Sequence, residues 1–210
     1  MSRSVKALVV LALSASGVFV TSSVADARGN TTVMNLRGDL VNADFTETDG
    51  CLETDVFVTA NSGVEQDLPN TTHYAIAAVD IFQYNSCTAT TVLDATGQVD
   101  SLPAGAFQVS NQLDQASLNA VLPASDLVSG STFDITVNVQ WTGTSDITRS
   151  HSNTNEVYPG CHIINRWKGS GRDANASGTV AGGGTDLTLA SSQFGEIGYV
   201  IDGSEIMGCS

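Results

Sequence analysis

The stretch FDITVNVQW, residues 133–141, alternates apolar and polar side chains over nine positions without a break. Neighbouring side chains of a β-strand point to opposite faces, so this pattern collects the apolar side chains on one face and the polar ones on the other. We therefore predict a strand with one buried face, and we place Trp141 at the end of that face, in the core.

The same period of two recurs on both sides of this stretch. Residues 52–60 place Leu52, Val56, Val58 and Ala60 on one face, which predicts a second half-buried strand. Residues 74–84 carry apolar side chains on both faces, which predicts a central strand covered on both sides or an inner strand of a sandwich. Shorter strand candidates are residues 32–37, 39–46, 88–93, 106–109, 116–122, 146–151, 162–167, 175–180, 185–190 and 196–201.

Residues typical of turns separate these candidates, and only residues 111–118 fit a helix, of barely two turns. The turn signals are Asp49-Gly50, Asn61-Ser62-Gly63, Pro103-Ala104-Gly105 and Gly182-Gly183-Gly184. Short strands with Gly- and Ser-rich turns are typical of an antiparallel sandwich or barrel. We predict an all-β fold, an antiparallel β-sandwich of the Ig-like or jelly-roll-like type, stabilised by disulfide bonds.

The N-terminus has the three parts of a secretory signal peptide. Arg3 and Lys6 precede an apolar run over residues 7–20, and small residues follow up to Ala27. The run is shorter than the roughly 20 residues that a membrane-spanning helix needs. We predict a signal peptide over residues 1–27 and a secreted or periplasmic mature chain that does not insert into a membrane.

The mature chain, residues 28–210, shows no linker and no repeat. Its length fits one domain. We predict a single β-sandwich domain, and the alternative is a two-lobed arrangement in which the lobes meet near residues 102–130.

All four cysteines lie in the mature chain, at Cys51, Cys87, Cys161 and Cys209. An oxidising compartment favours disulfides, and these wide spacings do not match zinc sites. Three pairings are possible. We favour Cys51 with Cys87 and Cys161 with Cys209, because each bond then closes a loop within one half of the chain.

The composition excludes some partners. The chain has 8 Lys and Arg residues against 22 Asp and Glu residues, a formal net charge of -14. Binding to nucleic acid or to an anionic membrane depends on Lys and Arg that neutralise phosphate. We therefore expect no nucleic-acid partner and no adhesion to an anionic membrane.

The few bases are concentrated in one part of the sequence. Arg149, Arg166, Lys168 and Arg172 lie within 24 residues, together with Trp167. Aromatic rings beside hydrogen-bonding side chains are typical of sugar sites. We therefore select Trp167, Arg149, Arg166 and Lys168 as candidate ligand-binding residues. Because Trp167 alternates with Arg166 and Lys168, its ring must point away from them on a regular strand.

Other polar groups predict no particular reaction. Acidic residues flank the Asp49-Gly50 turn, but the calcium-loop pattern is absent, so we interpret them as a solvated face. His151 and His162 could meet across a hairpin, yet no two histidines have the i, i+2 spacing of a strand-based metal site. Glu53 and Asp55 share a strand face and are again typical of a solvated face. We expect no catalytic residue, metal or cofactor.

Three segments, CLETDV at residues 51–56, YNSCT at residues 84–88 and WTGT at residues 141–144, resemble segments of exported bacterial β-rich proteins without an assigned activity. The resemblance implies export, and it transfers no functional residue. We expect a non-catalytic extracellular or periplasmic binding or structural module, whose partner is carbohydrate or another extracellular protein. The alternatives are a secreted hydrolase or metal-dependent enzyme on the same scaffold, and an assembly subunit.

Overall fold

The computed structural model describes residues 31–67 and 70–209, and that part of the chain forms eleven strands and no helix. The predicted signal peptide lies outside the described residues. The strands are β1 (Thr31–Asp49), β2 (Leu52–Asp67), β3 (Asn70–Asn85), β4 (Thr90–Val99), β5 (Phe107–Val109), β6 (Gln115–Asp126), β7 (Thr132–Gly143), β8 (Thr148–Tyr158), β9 (Cys161–Gly182), β10 (Thr185–Leu189) and β11 (Phe194–Cys209). The predicted all-β class is confirmed.

All the strands belong to one sheet, and every pair of named strands is antiparallel. From β9 the hydrogen-bonded path runs through β11, β1, β2, β3, β4, β6 and β7, and β7 pairs with β9 again. The path therefore closes into a ring. The antiparallel arrangement confirms the coarse prediction, whereas the sandwich type is not confirmed, because the described strands form a single sheet.

The ring encloses the core, and we call this part of the molecule the closed part. Along the strands of the ring, apolar side chains at alternate positions point into the core, as Val41, Ala43 and Phe45 of β1 do. Trp141 is 1% exposed, and its Nε1 donates a hydrogen bond of 2.8 Å to the Asn42 carbonyl oxygen. The predicted core position of Trp141 is confirmed. Burying an indole requires such an acceptor, because an unpaired N–H in the core is costly.

Five strands of the ring continue beyond it and form, together with β8, an open sheet, which we call the projecting sheet. It comprises residues 31–40, 61–67, 70–76, 148–158, 161–172 and 198–209. One edge is β8, which among the described strands pairs only with β9. The other edge is the start of β3. This part of β3 pairs with β2 on one side, and on its other side the described pairing is a single bridge between Ala75 and Ser101. The two long edges make this region structurally different from the ring.

The β9 strand connects the two parts because it changes partners along its length. Residues 161–171 pair with β8, whereas residues 174–181 pair with β7. On its other side, β9 pairs with β11 over residues 161–173 and with β10 over residues 178–182. The ring therefore closes only along the second half of β9.

The prediction of a turn at residues 61–63 is wrong. Asn61-Ser62-Gly63 is not a turn but lies inside β2, where Gly63 is opposite Gly38 and Tyr74. Glycine is needed here because a Cβ on Gly63 would collide with the Arg37 carbonyl oxygen and lie 2.9 Å from the Gly38 Cα, both on the neighbouring β1 backbone. Burial of the Tyr74 phenol, with a smaller contribution from nearby carboxylates, raises its pKa to about 12.

The segment 74–84 is central in the sheet but is not covered on both sides. Val79 and Ile81 are buried in the core, whereas Phe82 on the opposite face is 39% exposed. The reason is that the ring has only one interior, so apolar groups on its outer face stay in contact with water. The candidate helix 111–118 is instead a turn followed by the start of β6.

The disulfide between Cys51 and Cys87 is confirmed, with 5.4 Å between the two Cα atoms. Cys161 is also disulfide-bonded, and the register of β9 and β11 places it opposite Cys209, the remaining cysteine. The side chain of Cys209 lies outside the described residues, so that pairing stays a prediction. The two sites lie at opposite ends of the molecule, one beside the ring and one at the tip of the projecting sheet.

A buried carboxylate organises the turn between β6 and β7. The Asp126 carboxylate accepts hydrogen bonds from the backbone N–H groups of Asp94, Val128 and Ser129 and from the Ser129 hydroxyl. These bonds, led by the Ser129 hydroxyl, lower the pKa of Asp126 to about 2. The ionised form therefore stabilises this turn at neutral pH.

Candidate functional site

Five Lys and Arg residues lie in the described part of the chain, and all five belong to the projecting sheet. They are Arg37 on β1, Arg149 on β8, and Arg166, Lys168 and Arg172 on β9. The remaining three bases of the sequence precede residue 31. The chain has a formal net charge of -14, yet its described positive charge is concentrated in this one part of the molecule.

The hairpin of β8 and β9 places its bases on one face. Arg149 is opposite Ser170, and His151 is opposite Lys168. Directly paired residues in an antiparallel sheet share a face, and so do residues two apart on one strand. Arg149, His151, Arg166 and Lys168 therefore point the same way, and all four are exposed.

This face is continuous with the lining of the core. On β9, Ala176 and Ala174 point into the ring, and the next residue of the same parity is Arg172. The Arg172 Nε donates a hydrogen bond of 2.7 Å to the Ser145 carbonyl oxygen, and its side chain crosses Gly143. A Cβ on Gly143 would lie 2.6 Å from the Arg172 Cδ. Arg172 thus stands where the ring ends and the projecting sheet begins.

On β1, the same face carries Arg37 next to Asp39. Val41 points into the core, so Asp39 and Arg37 follow on the same side. Arg37 donates a hydrogen bond through Nε to the Tyr199 hydroxyl, and its Cζ lies 5.7 Å from the centre of the Tyr199 ring. Burial raises the pKa of Asp39. Among the described side chains of the projecting sheet, Asp39 is the one carboxyl group on this face, and the register of β9 and β11 also places Asp202 opposite Lys168.

All three histidines of the chain lie on this face as well. On β3, His73 has the same parity as the buried residues Val79 and Ile81, so it lies on the same side of the sheet. His151 is opposite Lys168, and His162 is an even number of residues from Lys168 on β9, so both share the face of the bases. The His162 Nε2 is 2.6 Å from the Asn155 Oδ1. We define the basic face as Arg37, His73, Arg149, His151, His162, Arg166, Lys168 and Arg172.

Trp167 lies on the opposite face of β9. It is paired with Gly203 of β11, and a Cβ on Gly203 would lie 2.5 Å from the Trp167 Cζ3. The half-buried indole therefore covers the Gly203 backbone instead of joining the bases. The structure does not bring the two indoles together either, because Trp141 is paired with Ala176, far along β9 from Trp167.

His151 and His162 do not meet across the hairpin. His151 is paired with Lys168 and His162 with Val157, so the two imidazoles are about six residues, or about 20 Å, apart along the sheet. Among the described side chains, no group of three His, Cys, Asp or Glu residues could hold a metal ion.

On the outer face, three polar side chains meet near the boundary between the two parts. Glu196 is opposite Asn42 on β1 and opposite Asp173 on β9. Burial raises the pKa of Glu196, a hydrogen bond with Asn42 lowers it, and the charge of Asp173 raises it further. The Glu196 Oε2 and the Asn42 Oδ1 are buried without a hydrogen-bond partner among the described atoms. A protonated Glu196 can donate to that oxygen.

The outer face of the ring combines phenylalanine with aspartate. Phe57 is 41% exposed and lies between Asp44 and Asp80 in the register of the sheet, and Phe82 is opposite Asp55. Burial, and then repulsion by Asp55, raises the pKa of Asp44. Charge is therefore divided between the faces, with acids on the outside of the ring and bases on the inner face of the projecting sheet.

A shallow depression of about 620 Å³ lies over β4, β6 and β7. Its lining residues are Thr96, Gln98, Pro123, Ala124, Ser125, Thr132, Phe133 and Asp134. Asp134 is its one titratable group, and none of the basic-face residues contributes to it. The depression is therefore separate from the basic face.

The sequence prediction identified Arg149, Arg166 and Lys168 but not Arg37 or His73 as members of this face. Those two lie far away in the sequence, and only strand pairing brings them to the same side. The available signal was parity: each is separated from a buried position of its own strand by an even number of residues.

No described helix is long and apolar enough to cross a membrane. No protein-family model and no curated protein sequence matches this chain.

Proposed function

We propose that this chain is an exported, non-catalytic module that binds carbohydrate on its basic face. The carrying observation is that all the described bases and all three histidines share one face of an open sheet. Support for export comes from the Cys51–Cys87 disulfide, which fits an oxidising compartment, and from the resemblance to exported bacterial β-rich proteins.

The chemistry of the face suits hydroxyl-rich ligands. Between the bases, β8 adds the exposed amides of Asn153 and Asn155 on the same side. An amide or an imidazole can both donate and accept hydrogen bonds, as a sugar hydroxyl does. The face belongs to a sheet with two open edges, whereas enclosed pockets are typical of small-molecule sites. An extended polymer therefore fits it better than a small free ligand.

The test compares the two faces of β8. The mature chain, residues 28–210, is run in native gels that contain polysaccharides, and retardation measures binding. The variant His151→Ala/Asn153→Ala removes inner-face groups, whereas Ser152→Ala/Thr154→Ala alters the other face of the same strand. We expect the first pair to weaken binding about thirtyfold, since the two lost hydrogen bonds contribute about 1 kcal/mol each. Equal effects of both pairs, or no retardation by any polysaccharide, would contradict the proposal.

We further propose that the closed part is flattened into two packed layers and thus has the shape of the predicted β-sandwich. β2 and β5 are four positions apart in the sheet order yet contact each other. Contact between strands so far apart in the order supports a ring whose opposite walls pack together.

A second candidate function is a hydrolase centred on Glu196 and Asp173. The favouring observation is a carboxyl with a raised pKa directly opposite a second carboxyl, an arrangement that glycoside hydrolases use. If this is correct, release of reducing sugar from a bound polysaccharide is abolished in Glu196→Gln while binding is retained. Absence of any turnover in the wild type leaves the binding module as the sole function.

A further inference from the structure

We infer that the polymer bound by the basic face is an acidic polysaccharide, whose carboxylate or sulfate groups are held by arginines along β8 and β9. This inference rests on the proposed carbohydrate-binding function and adds the charge and the position of the ligand. It depends on three observations: two exposed arginines without a described partner, the spacing of the cations along one strand, and the polar groups that lie between them.

The first observation is that two exposed arginines of this face, Arg149 and Arg166, have no partner among the described residues. Asp39 is the one carboxyl of this face among the described side chains, and the register of β9 and β11 places Asp202 opposite Lys168, so the inference depends on the arginines. Neither Arg149 nor Arg166 forms a hydrogen bond or an ion pair with another described residue. A guanidinium carries five donors in a planar fork and binds carboxylate or sulfate with two parallel hydrogen bonds. Two such exposed forks on one face are a recognition site for oxyanions.

The second observation is the spacing. Arg166 and Lys168 are two residues apart, so their Cα atoms are separated by about 6.6 Å along β9, and Arg172 lies about 13 Å further on. Arg149 belongs to the adjacent strand, about 4.8 Å to the side. The cations therefore form a band about 20 Å long that follows the strand direction. A linear chain with acid groups at regular intervals can contact several of them at once, and linked contacts strengthen one another.

The third observation decides between classes of polyanion. Duplex nucleic acid carries one negative charge per about 1.7 Å of its length. A duplex longer than the cationic band would bring much of this charge close to the acidic remainder of the molecule, which repels it. Proteins that bind single strands combine bases with exposed aromatic platforms, whereas here Trp167 points to the other face and Tyr199 is engaged by Arg37. An acidic polysaccharide has a lower charge density and many hydroxyls, which match the interspersed Asn153, Asn155 and Ser170.

The experiment measures binding of the mature chain to four polymers by titration calorimetry. Polygalacturonate supplies carboxylates, dextran sulfate supplies sulfates, dextran is neutral, and single-stranded DNA supplies phosphates. We expect binding to one or both of the acidic polysaccharides, and the two arms show which oxyanion is preferred. Binding should weaken between about 50 mM and about 200 mM salt, because each contact between a cation and an anionic group releases counterions.

The decisive variant is Arg149→Gln/Arg166→Gln, which removes two charges and keeps polar side chains. Its matched control is Gln115→Glu/Gln140→Glu, which makes the same change in net charge at exposed positions away from the basic face. We expect the arginine pair to weaken binding at least about tenfold and to reduce the salt slope by about two, and the control pair to change affinity less than about twofold.

The possible results separate this inference from the proposed function. Equal binding of dextran and the acidic polymers would overturn the inference and leave carbohydrate binding in place. Binding of none of the three polysaccharides would overturn both. Tighter binding of DNA than of either acidic polysaccharide would overturn the choice of polymer, and equal losses in the arginine pair and its control would show that net charge, rather than this face, governs affinity.

Discussion

The closed part and the projecting sheet share five strands, β1, β2, β3, β9 and β11, yet they differ in what occupies the inner side. In the ring, β9 places Ala174, Ala176 and Val180 inward, whereas in the projecting sheet the same side carries Arg172, Lys168 and Arg166. The ring has no exposed inner surface, because β7 pairs with β9 there. Closure thus decides where a continuous sheet face becomes core and where it becomes a binding surface.

The comparison predicts that stability resides in the ring. Trp141 is 1% exposed and hydrogen-bonded, so Trp141→Ala should lower the free energy of unfolding by about 3 to 5 kcal/mol. The matched change, Trp167→Ala, removes a half-buried indole from the projecting sheet and should cost clearly less. Urea denaturation measures both. Equal losses would show that the two parts unfold as one unit with similar packing.

The two cysteine sites allow the second comparison. Cys51→Ser/Cys87→Ser opens a loop with a sequence separation of 36, and in the chain-entropy model its loss costs about 3 to 4 kcal/mol. Cys161→Ser/Cys209→Ser should instead raise amide hydrogen exchange in the projecting sheet and leave the ring protected. Peptide mapping of the oxidised protein first checks the Cys161–Cys209 pairing, and any cross-pairing with Cys51 or Cys87 would contradict it.

Close packing inside the projecting sheet can be tested at Gly203. A methyl group there meets the Trp167 ring, so Gly203→Ala should destabilise by about 1 to 3 kcal/mol. In the double variant Gly203→Ala/Trp167→Ala the collision is gone, and the double-mutant cycle should show a favourable coupling of at least about 0.5 kcal/mol. Additive losses would mean that the indole does not lie over the glycine.

The smallest effect is expected at Glu196, at the boundary between the parts. Its folded-state pKa is raised, so its ionised form destabilises the fold above that pKa, and the fold gains stability as pH falls toward the unfolded-state value. Glu196→Gln removes the charge and can donate to Asn42, which should stabilise by up to about 1 kcal/mol near pH 7. The gain should shrink near pH 4, as thermal unfolding across pH will show.

Asp126 provides the control of opposite sign for this pH dependence. Its pKa is lowered to about 2, so its contribution is complete above the unfolded-state value and is lost as pH falls through the folded-state pKa. Asp126→Asn should therefore destabilise near pH 7, with a difference that disappears near about pH 2. If both variants responded to pH with the same sign, the assignment of the two carboxyl environments would be wrong.

The sequence by itself determined the strands, the core position of Trp141 and the opposition of Trp167 to Arg166 and Lys168. It also supported the local pairing of Cys51 with Cys87. All of these follow from the alternation of side chains along a strand or from short loops, which are local properties of the chain. The turn wrongly predicted at Asn61-Ser62-Gly63 shows the limit of local rules, because Gly63 is needed for the close approach of the β1 backbone at Arg37 and Gly38.

Only the tertiary structure decided which strands are neighbours, where the ring closes, and that Arg37 and His73 join the bases of β8 and β9. Alternation assigns a side chain to one of two faces, but it does not say which face is covered or which distant strand lies beside it. Those choices depend on the summed free energy of many long-range pairings, so they belong to the folded molecule as a whole.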